Sequence, residues 1–547
     1  MKKLFKWTGI GIGLLLVITI SLIIVIMISY DRYGNYSYGG ILSENQAKFD
    51  VTYYELNLEI FPSDQAIKGS NSIKLRVLSD ALDKIELDLI DNFEVEKVLD
   101  QDKNALVFRH DDDKLWVVLK SIPQQNEIIS FRVYYQGHPV EAILPPWIGG
   151  FSWSTDSTGK DWIGVTCQGE GAKIWFPCKD HPSDRPDSAA LNITVPDSLF
   201  CAANGILQKT SVPEAGKKTF HWITRYPINN YNININIGNY RILPEKYVTL
   251  QGDTMPVYFY VLPQSLKGAR KHLKMAVDML YTYRKFYGEY PFTKEKFAIV
   301  ETPYLGMEHQ TINAYGNKYR YTTVNDKEYD WLMLHEMGHE WWGNKLSITD
   351  LADMWIHEGI CTYGEALYQL DKNGEQAYHD YMQKLKKRIE NKIPVIPKRN
   401  ADSQESYHTD IYFKGAWMMH SLRYLTGDSV FFDILSTFVN DSAYIYANLT
   451  CTEDLIQLVE QKAGKNVTPF IRSFLTTTDL PVFIVDSLGA DQYNIGIQNV
   501  DYSLPVQIVI DENIKKLILD RKPVLIRTNK RPALDPEDWI LEAGELQ

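Results

Sequence analysis

Apolar and polar residues alternate along much of the first half of the chain. The clearest alternating runs lie at residues 54–60, 73–77, 85–89, 131–135 and 231–237. Alternation with a period of two, with turn residues between the runs, is typical of antiparallel sheets that bury one face. The pattern therefore predicts an all-β domain over residues 48–250.

The spacing of apolar residues changes after residue 250. In residues 264–287, side chains such as Leu273, Ala276 and Leu280 recur at helical intervals, which predicts an amphipathic helix. Helical segments continue to about residue 477 and are interrupted by an apolar strand at residues 297–300. This pattern predicts a mostly helical domain over residues 251–480.

Short alternating runs return at the end of the chain. They lie at residues 482–485, 506–510 and 524–526. They predict a small β-sandwich domain over residues 481–547. The whole chain is therefore predicted to have a multidomain α+β fold, with a β domain, a mostly helical domain and a second, smaller β domain in that order.

The first thirty residues have a different character. Residues 8–29 contain no charged side chain, and this length is sufficient to cross a bilayer core of roughly 30 Å. Three of the six residues that begin the chain are lysines, so the positive-inside rule puts the N-terminus in the cytoplasm. We expect a single-pass transmembrane helix within residues 1–30, a polar linker at residues 31–47, and the remaining domains on the extracytoplasmic side of the membrane.

A cleaved signal peptide is the alternative interpretation of this segment. The apolar region of a signal peptide is usually about 7–15 residues long and ends in a small-x-small cleavage site. The apolar run in this chain is longer and closes on the sequence Met27-Ile28-Ser29-Tyr30, which offers no such site. The sequence therefore favours an uncleaved anchor.

Composition excludes several classes of protein. The chain has 547 residues, of which 45% are hydrophobic, and it contains 33 glycines and 24 prolines, so it is neither disordered nor collagen-like. Its 57 basic and 69 acidic residues give a net charge of −12, which provides no general electrostatic reason to bind nucleic acid. Its five cysteines contain no CxxC pair, which argues against a disulfide scaffold and against a cysteine zinc site.

The sequence His335-Glu336-Met337-Gly338-His339 is an HExxH motif in a segment with a helical pattern. On a helix, residues four apart share one face, so His335 and His339 could bind the same metal ion. Glu336 could then act on a water molecule at that ion. Taken alone, the motif is also compatible with a helix that carries two solvated histidines, so its interpretation depends on the residues around it.

A catalytic zinc ion usually has three protein ligands and one open position for water. Glu358 follows His339 by 19 residues, in the next segment with a helical pattern. An HExxH motif with a glutamate at this distance is a much stronger signal than the motif alone. We therefore expect one Zn²⁺ ion bound by His335, His339 and Glu358.

Residues 335–365 resemble the zinc aminopeptidases of the gluzincin group, of the membrane alanyl aminopeptidase and leukotriene-hydrolase type. The resemblance implies that Glu336 is the catalytic base, which takes a proton from the attacking water and passes it to the leaving amine. It also implies that Glu365, seven residues beyond Glu358, supports the metal site by orienting a histidine ligand.

Further motifs resemble segments of the same family in the expected order. Gly306, Met307 and Glu308 resemble its GxMEN segment, whose glutamate binds the free α-amino group of the substrate. Gln168 and Glu170 resemble the Q-x-E element of its β domain, which implies further contacts with the substrate. The resemblance therefore implies an exopeptidase that recognises the N-terminus of a peptide.

Tyr412 lies in a sequence that resembles the family's Y-x-K-G element, which carries the catalytic tyrosine. The resemblance implies that the Tyr412 hydroxyl stabilises the oxyanion of the tetrahedral intermediate. Because the chain contains 34 tyrosines, only the resemblance singles this one out. The fold that it implies is a β saddle, a thermolysin-like catalytic domain and a β-sandwich, in the order predicted from the periodicity.

Some positions depart from the family's pattern. Leu305 stands where GxMEN usually has its glycine, His309 stands at its asparagine, and His357 replaces a common asparagine beside Glu358. We interpret both histidines as pocket or structural residues rather than metal ligands. These differences leave the preferred substrate open.

Together these features predict a membrane-anchored zinc aminopeptidase that removes N-terminal residues from peptides by attack of a zinc-activated water. Its expected partners are peptides with a free N-terminus, because a cationic α-amine is attracted to carboxylates. Two alternatives have a different function, namely a relative with epoxide-hydrolase-like activity and a catalytically silent peptide-binding protein. The carboxylates of the amine site favour peptides, and the presence of the expected catalytic residues favours an active enzyme.

Overall fold

The computed structural model describes residues 36–545. The predicted membrane anchor of residues 1–30 lies outside this range. Within residues 36–545, no helix is both long enough and apolar enough to cross a membrane.

The first region of the chain is built of strands, as the alternation predicts. Its strands are β1 (Phe49–Phe61), β2 (Ala66–Val77), β3 (Lys84–Asp88), β4 (Phe93–Asp100), β5 (Val107–Asp111), β6 (Lys114–Val118), β7 (Ile128–Gly137), β8 (Gly150–Thr155), β9 (Asp161–Thr166), β10 (Ser188–Pro196), β11 (Phe200–Ala203), β12 (Ile206–Ser211), β13 (Lys217–Thr224) and β14 (Ile235–Gly238). They form sheets with the strand orders β12-β13-β10-β1-β2-β7-β4, β11-β14-β9-β8 and β3-β6-β5. In β1, Tyr54, Leu56 and Leu58 point into the core, which explains the period of two.

Residues 231–237 are not one strand, although their alternation predicts one. The chain makes a 3₁₀ turn at Asn230–Asn232, and β14 begins only at Ile235. The polar residues of the run are buried as well as the apolar ones, and the Asn234 side chain donates a 2.6 Å hydrogen bond to the Val165 carbonyl. Because these asparagines find partners in the interior, the alternation does not separate a core face from a solvent face.

A further sheet begins before the predicted domain boundary at residue 250. The strands of this region are β15 (Arg241–Val248), β16 (Thr254–Val261), β17 (Phe297–Glu301), β18 (Gly306–Met307), β19 (Asn313–Tyr315), β20 (Thr322–Val324) and β21 (Lys327–Tyr329). Strands β15 to β19 form a sheet with the order β15-β16-β17-β19-β18, and β20 pairs with β21. Strand β15 therefore pairs with β16 across the boundary predicted at residue 250.

The remaining elements of this region are helices, the first of which lies between β16 and β17 in the chain. They are α1 (Leu266–Tyr287), α2 (Trp331–Gly338), α3 (Trp355–Asn373), α4 (Glu375–Lys386), α5 (Ser403–Ser406), α6 (Phe413–Thr426), α7 (Asp428–Asn440), α8 (Thr452–Ala463) and α9 (Thr468–Thr476). Helix α1 confirms the amphipathic pattern, because Leu273, Ala276 and Leu280 lie on its buried face. Strand β17 is the apolar strand predicted at residues 297–300.

Strands return after the last helix, as predicted. They are β22 (Val482–Gly489), β23 (Gln492–Gln498), β24 (Leu504–Ile510), β25 (Asn513–Leu519), β26 (Val524–Arg527) and β27 (Ala533–Leu534). They form one sheet with the order β22-β23-β26 and another with the order β25-β24-β27.

The described part of the predicted linker at residues 31–47 is packed against the protein rather than free. Tyr38 is only 2% exposed, and Gly39 forms a β-bridge with Asp402. The Gln46 side chain donates a 2.6 Å hydrogen bond to Asp88 at the end of β3. A polar, glycine-containing composition is therefore a poor guide to this segment, because its contacts lie far away in the sequence.

Candidate active site

Helix α2 carries the HExxH motif and is fixed at its N-terminus by Asp330. The Asp330 carboxylate accepts hydrogen bonds from the backbone N–H groups of Leu332 and Met333, at 3.0 and 3.3 Å, and it is fully buried. Such a cap satisfies N–H groups that the first helical turn leaves without partners. The helix ends at Gly338, and His339 follows it with helical backbone angles, so His335 and His339 lie on one face.

Helix α3 brings Glu358 to these two imidazoles from its first turn. Nε2 of His335 lies 3.2 Å from Nε2 of His339, and Oε2 of Glu358 lies 3.4 and 3.3 Å from these two nitrogens. His339 is 1% exposed, which excludes the interpretation of a surface helix with two solvated histidines.

The three atoms fit a zinc ion. Bonds of about 2.0–2.1 Å in tetrahedral geometry place the ligand atoms about 3.3–3.4 Å apart, close to the three distances observed. Oε2 of Glu358 is buried and has no hydrogen-bond partner within residues 36–545, which is costly for a carboxylate oxygen unless a cation neutralises it. His335, His339 and Glu358 are therefore suited to hold Zn²⁺.

The opposite nitrogens of both imidazoles are held by the protein. Nδ1 of His335 lies 2.9 Å from Oε1 of Glu365, and Nδ1 of His339 lies 3.0 Å from the Trp342 carbonyl oxygen. Such partners leave Nε2 of each ring free for a metal. The Tyr381 hydroxyl donates to the second oxygen of Glu365 and fixes this carboxylate in turn. The structure thus places Glu365 where the resemblance predicts it, behind a histidine.

Glu336 lies beside this cluster in a buried position. Burial is the main reason why its pKa is raised to about 8, and nearby carboxylates add to the effect. Gly306, in strand β18, leaves room for it, because a Cβ atom at this position would lie 2.8 Å from Oε1 of Glu336. Met307 pairs with Ala314 of β19, and β18 forms the edge of its sheet beside the motif helix.

Glu308 joins the two domains at the site. Its Oε1 atom accepts a 2.7 Å hydrogen bond from Gln168 of the β domain and a 2.9 Å hydrogen bond from the Tyr231 hydroxyl. Glu308, Glu336 and His339 each offer a ligand atom, and these atoms lie within 4.8 Å of one another. Burial raises the pKa of Glu308, so an approaching cation would favour its charged form.

Glu170 is held by a hydrogen bond from the backbone rather than by Gln168 or Glu308. Its Oε1 atom accepts a 2.7 Å bond from the backbone N–H of Gly149, and its Oε2 atom is buried without a partner within the described residues. Burial is the main cause that raises its pKa to about 7. Within residues 36–545, Glu170 makes no hydrogen bond to Gln168 or Glu308, so the structure does not join it to the hydrogen bonds around Glu308.

Tyr412 lies against the first histidine of the motif. Its ring is stacked on the His335 ring, with centroids 6.0 Å apart and an interplanar angle of 28°. Its hydroxyl shares a hydrogen bond with the Tyr407 hydroxyl, which also lies 3.3 Å from Oε1 of Glu358. Tyr412 therefore lies at the edge of the candidate metal site, as the resemblance predicts.

Sequence reasoning missed two tyrosines of the site. Tyr231 donates to Glu308, and Tyr407 lies between Glu358 and Tyr412. Tyr407 precedes Tyr412 by five residues, but neither its spacing nor its neighbours distinguish it among 34 tyrosines. Tyr231 lies in the alternating run that predicts a strand, so its pattern pointed to a structural role.

The two unusual histidines lie in the interior. Nε2 of His309 is 3.1 Å from the Asn234 side-chain nitrogen, and burial lowers the pKa of His309 to about 3. His357 is also buried, with its pKa lowered to about 3, mainly by burial. In the described part of the chain, neither belongs to a group of side chains that could hold a metal ion.

The chain is similar to known proteins over both of its larger domains. Residues 272–474 match the Peptidase family M1 domain, and residues 51–231 match the Peptidase M1 N-terminal domain. Protein TMA108 of Saccharomyces cerevisiae is 25% identical over 359 residues, which cover 59% of this chain and 37% of that protein. Aminopeptidase 2, mitochondrial, of the same yeast is 24% identical over 465 residues, which cover 80% of this chain and 47% of that protein.

This chain thus spans less than half the length of these two curated relatives. In fold, it is similar to the crystal structure of an M1 zinc metallopeptidase from Deinococcus radiodurans, with a TM-score of 0.67 and 22% identity, over 80% of this chain and 96% of that one. The two domain matches, together with the HExxH motif and its glutamate, identify the relationship. The chain belongs to peptidase family M1, the gluzincin family of zinc aminopeptidases.

Proposed function

We propose that this protein is a membrane-anchored zinc aminopeptidase that removes N-terminal residues from peptides. The observation that carries the proposal is the position of Glu308, whose carboxylate lies within 4.8 Å of ligand atoms of Glu336 and His339. A carboxylate at this distance can bind the α-amine of a peptide while the first peptide bond lies at the metal site. This arrangement suits an exopeptidase.

The charge of Glu308 is available to a substrate. Its hydrogen-bond donors, Gln168 and Tyr231, are neutral, so they orient the carboxylate without neutralising it. An N-terminal amine has a pKa of about 7.7–8.0 and is mostly cationic at neutral pH. An acetylated N-terminus would leave Glu308 buried and unpaired, which disfavours such substrates.

Cleavage of the peptide bond requires both the metal site and Glu336. A zinc ion held by His335, His339 and Glu358 would supply Lewis-acid activation of a water molecule. Glu336 accepts the proton of the attacking water and delivers it to the leaving amine. Burial of Glu336 beside the metal ligands places its carboxylate where it can accept this proton.

Tyr412 and strand β18 complete the arrangement. The Tyr412 hydroxyl, held by Tyr407, donates a hydrogen bond to the oxyanion, an interaction typically worth about 3–4 kcal/mol. The edge of β18 at Gly306 and Met307 offers backbone groups to which an extended peptide can pair. The substrate backbone is thereby aligned beside Glu336.

The predicted anchor is the basis for the cellular location that we propose for the protein. Residues 8–29 carry no charge and follow an N-terminal segment rich in lysine, which supports a single-pass helix with a cytoplasmic N-terminus. The domains described above would then act on the extracytoplasmic side of the membrane. Fractionation and protease protection of whole cells test this orientation.

Hydrolysis of aminoacyl-anilides by the full-length protein in detergent tests the activity. We expect the wild-type protein to release the anilide, and chelators and the Glu336→Gln substitution to abolish this. We expect N-acetylated versions of the same substrates to remain intact. Full activity of Glu336→Gln would contradict the mechanism, and equal cleavage of acetylated substrates would contradict the exopeptidase assignment.

A further inference from the structure

Residues 36–40 form a short segment, which we call the entry segment, that lies between the two larger domains. On the side of the catalytic domain, the Tyr38 backbone exchanges hydrogen bonds with Ser403 at the start of α5, at 3.1 and 2.9 Å. Gly40 donates a 3.2 Å backbone hydrogen bond to Ala401. The segment is thus paired to the catalytic domain along its length.

On the side of the β domain, two basic side chains contact the same segment. The Lys173 ammonium donates to the Ser37 carbonyl, and Nε2 of His181 lies 3.0 Å from the Gly40 carbonyl oxygen. Gly39 fits closely, because a Cβ atom there would lie 2.8 Å from Cδ1 of Leu351, and its φ of +83° is in the left-handed region. The entry segment therefore has one defined position between the domains.

The Tyr38 side chain reaches the amine site through Tyr231. The two rings meet edge to face, with centroids 6.2 Å apart and an interplanar angle of 62°, and Tyr38 is 2% exposed. Tyr231 in turn donates its hydroxyl to Glu308 at 2.9 Å. Since a packed aromatic ring restricts its neighbour's rotation, Tyr38 helps to fix the direction of this hydrogen bond.

The backbone of the entry segment supports the second donor to Glu308. The Ser403 hydroxyl, which accepts the Tyr38 N–H, also donates to the carbonyl oxygen of Gly169. Gly169 follows Gln168, whose side chain donates to Glu308 at 2.7 Å. The entry segment therefore contacts Tyr231, which is one donor to Glu308. It also contacts Ser403, which holds the backbone next to Gln168, the other donor.

We infer that Tyr38 is a positioning residue for amine recognition, acting on Glu308 through Tyr231 and, by way of Ser403, through the segment that carries Gln168. The inference rests on the proposed function and deepens it. The segment that leads from the predicted anchor into the β domain then acts on the amine site through Tyr231 and Ser403.

Tyr38→Ala and Tyr38→Phe in the full-length protein test the inference. For aminoacyl-anilides, we expect Tyr38→Ala to raise KM roughly 5- to 30-fold, less than the complete loss of a charge-assisted hydrogen bond would, with kcat within about twofold of wild type. The ratio of kcat/KM for substrates with a free N-terminus to kcat/KM for N-acetylated substrates should fall. Tyr38→Phe retains the ring and should restore the wild-type KM, and the bound zinc content should be the same in all three proteins.

A control separates positioning from loss of stability. Tyr502 is a buried tyrosine of the small β-sandwich that packs on Phe470. Tyr502→Ala should lower the melting temperature without a change in KM. The effects of Tyr38→Ala and Tyr231→Phe on KM should not add in the double variant, because both act through the same hydroxyl group.

The possible results are distinct. An active wild-type protein whose KM is unchanged in Tyr38→Ala overturns the inference and leaves the proposed function intact. A wild-type protein that hydrolyses no aminoacyl-anilide overturns the proposed function and the inference with it. If Tyr38→Ala does not fold, Tyr38→Leu replaces it, since this variant removes the aromatic ring that packs on Tyr231 and retains an apolar side chain, and an unchanged KM in Tyr38→Leu overturns the inference.

Discussion

Gln168 and Glu308 lie 140 residues apart in the chain, and their side chains meet in a buried hydrogen bond of 2.7 Å. Gln168 follows β9, an inner strand of a β-domain sheet, and Glu308 follows the edge strand of the catalytic sheet. The carboxylate proposed to bind the substrate amine is therefore oriented by a residue of the other domain. Amine recognition depends on how the two domains meet.

Removal of the Gln168 side chain should weaken substrate binding more than catalysis. In Gln168→Ala, Glu308 loses one of its two donors and becomes easier to protonate, so its neutral form competes with binding of the amine. We expect KM for aminoacyl-anilides to rise roughly 5- to 30-fold with little change in zinc content. Gln376→Ala, at an exposed glutamine, is the control. An unchanged KM in Gln168→Ala would show that this bond does not orient Glu308.

Glu365 should govern metal affinity. It accepts the Nδ1 proton of His335 at 2.9 Å, and this bond selects the tautomer that leaves Nε2 free. The Glu365→Gln substitution should weaken zinc binding roughly 10- to 100-fold, measured by competition with a chelator. Tyr381→Phe removes the hydroxyl that holds the other oxygen of Glu365 and should have a smaller effect in the same direction. Equal zinc affinity in Glu365→Gln and wild type would contradict this role.

Gly306 should be required for the position of Glu336. A methyl group there would approach Oε1 of Glu336 to 2.8 Å and Cδ1 of Leu332 to 2.7 Å, so one of these side chains would have to move. We expect Gly306→Ala to lower kcat by roughly tenfold or more, because a displacement of about 1 Å at a catalytic group is costly. Gly489→Ala is a matched control, since a Cβ atom there meets nothing within 4 Å. A normal kcat in Gly306→Ala would show that Leu332 absorbs the displacement.

The secondary structure could be predicted from the sequence where the local pattern of apolar residues matches the pattern of buried side chains. Helix α1 follows the apolar spacing because one of its faces is buried, and strand β17 follows a continuous apolar run because Phe297 to Val300 are all buried. Residues 231–237 could not be predicted in this way, because their asparagines are buried with hydrogen-bond partners elsewhere in the chain. The sequence of β15 likewise does not show that this strand pairs with β16, across the boundary predicted at residue 250, because strand pairing is a tertiary contact.

The residues of the site also differ in whether the sequence could predict them. His335 and His339 could be predicted because their relationship is set within one helix, and Glu358 because the next helix follows at a recognisable distance. Tyr231 and Tyr407 could not, because their partners are brought to them by tertiary packing. The burial of Tyr38 was likewise invisible in the sequence, because its neighbours belong to both domains.

Glu170 provides a test of burial that needs no substrate. One of its oxygens accepts a single backbone hydrogen bond from Gly149, and the other is buried without a partner within the described residues. Burial therefore outweighs the hydrogen bond and raises the pKa of Glu170 from 4.5 to about 7 in the folded protein. Between these two pH values the folded state binds more protons at this position than the unfolded state.

Stability should consequently fall as the pH rises through about 7, because the contribution of protonated Glu170 is complete below pH 4.5 and is lost above the folded pKa. Glu170→Gln removes this titration and retains an acceptor for the Gly149 N–H group. Relative to wild type, the variant should gain stability between pH 5 and pH 8, by on the order of 3 kcal/mol. Thermal unfolding of both proteins at these pH values measures the difference. Parallel pH profiles would mean that Glu170 is already ionised at pH 5 and that its second oxygen is solvated.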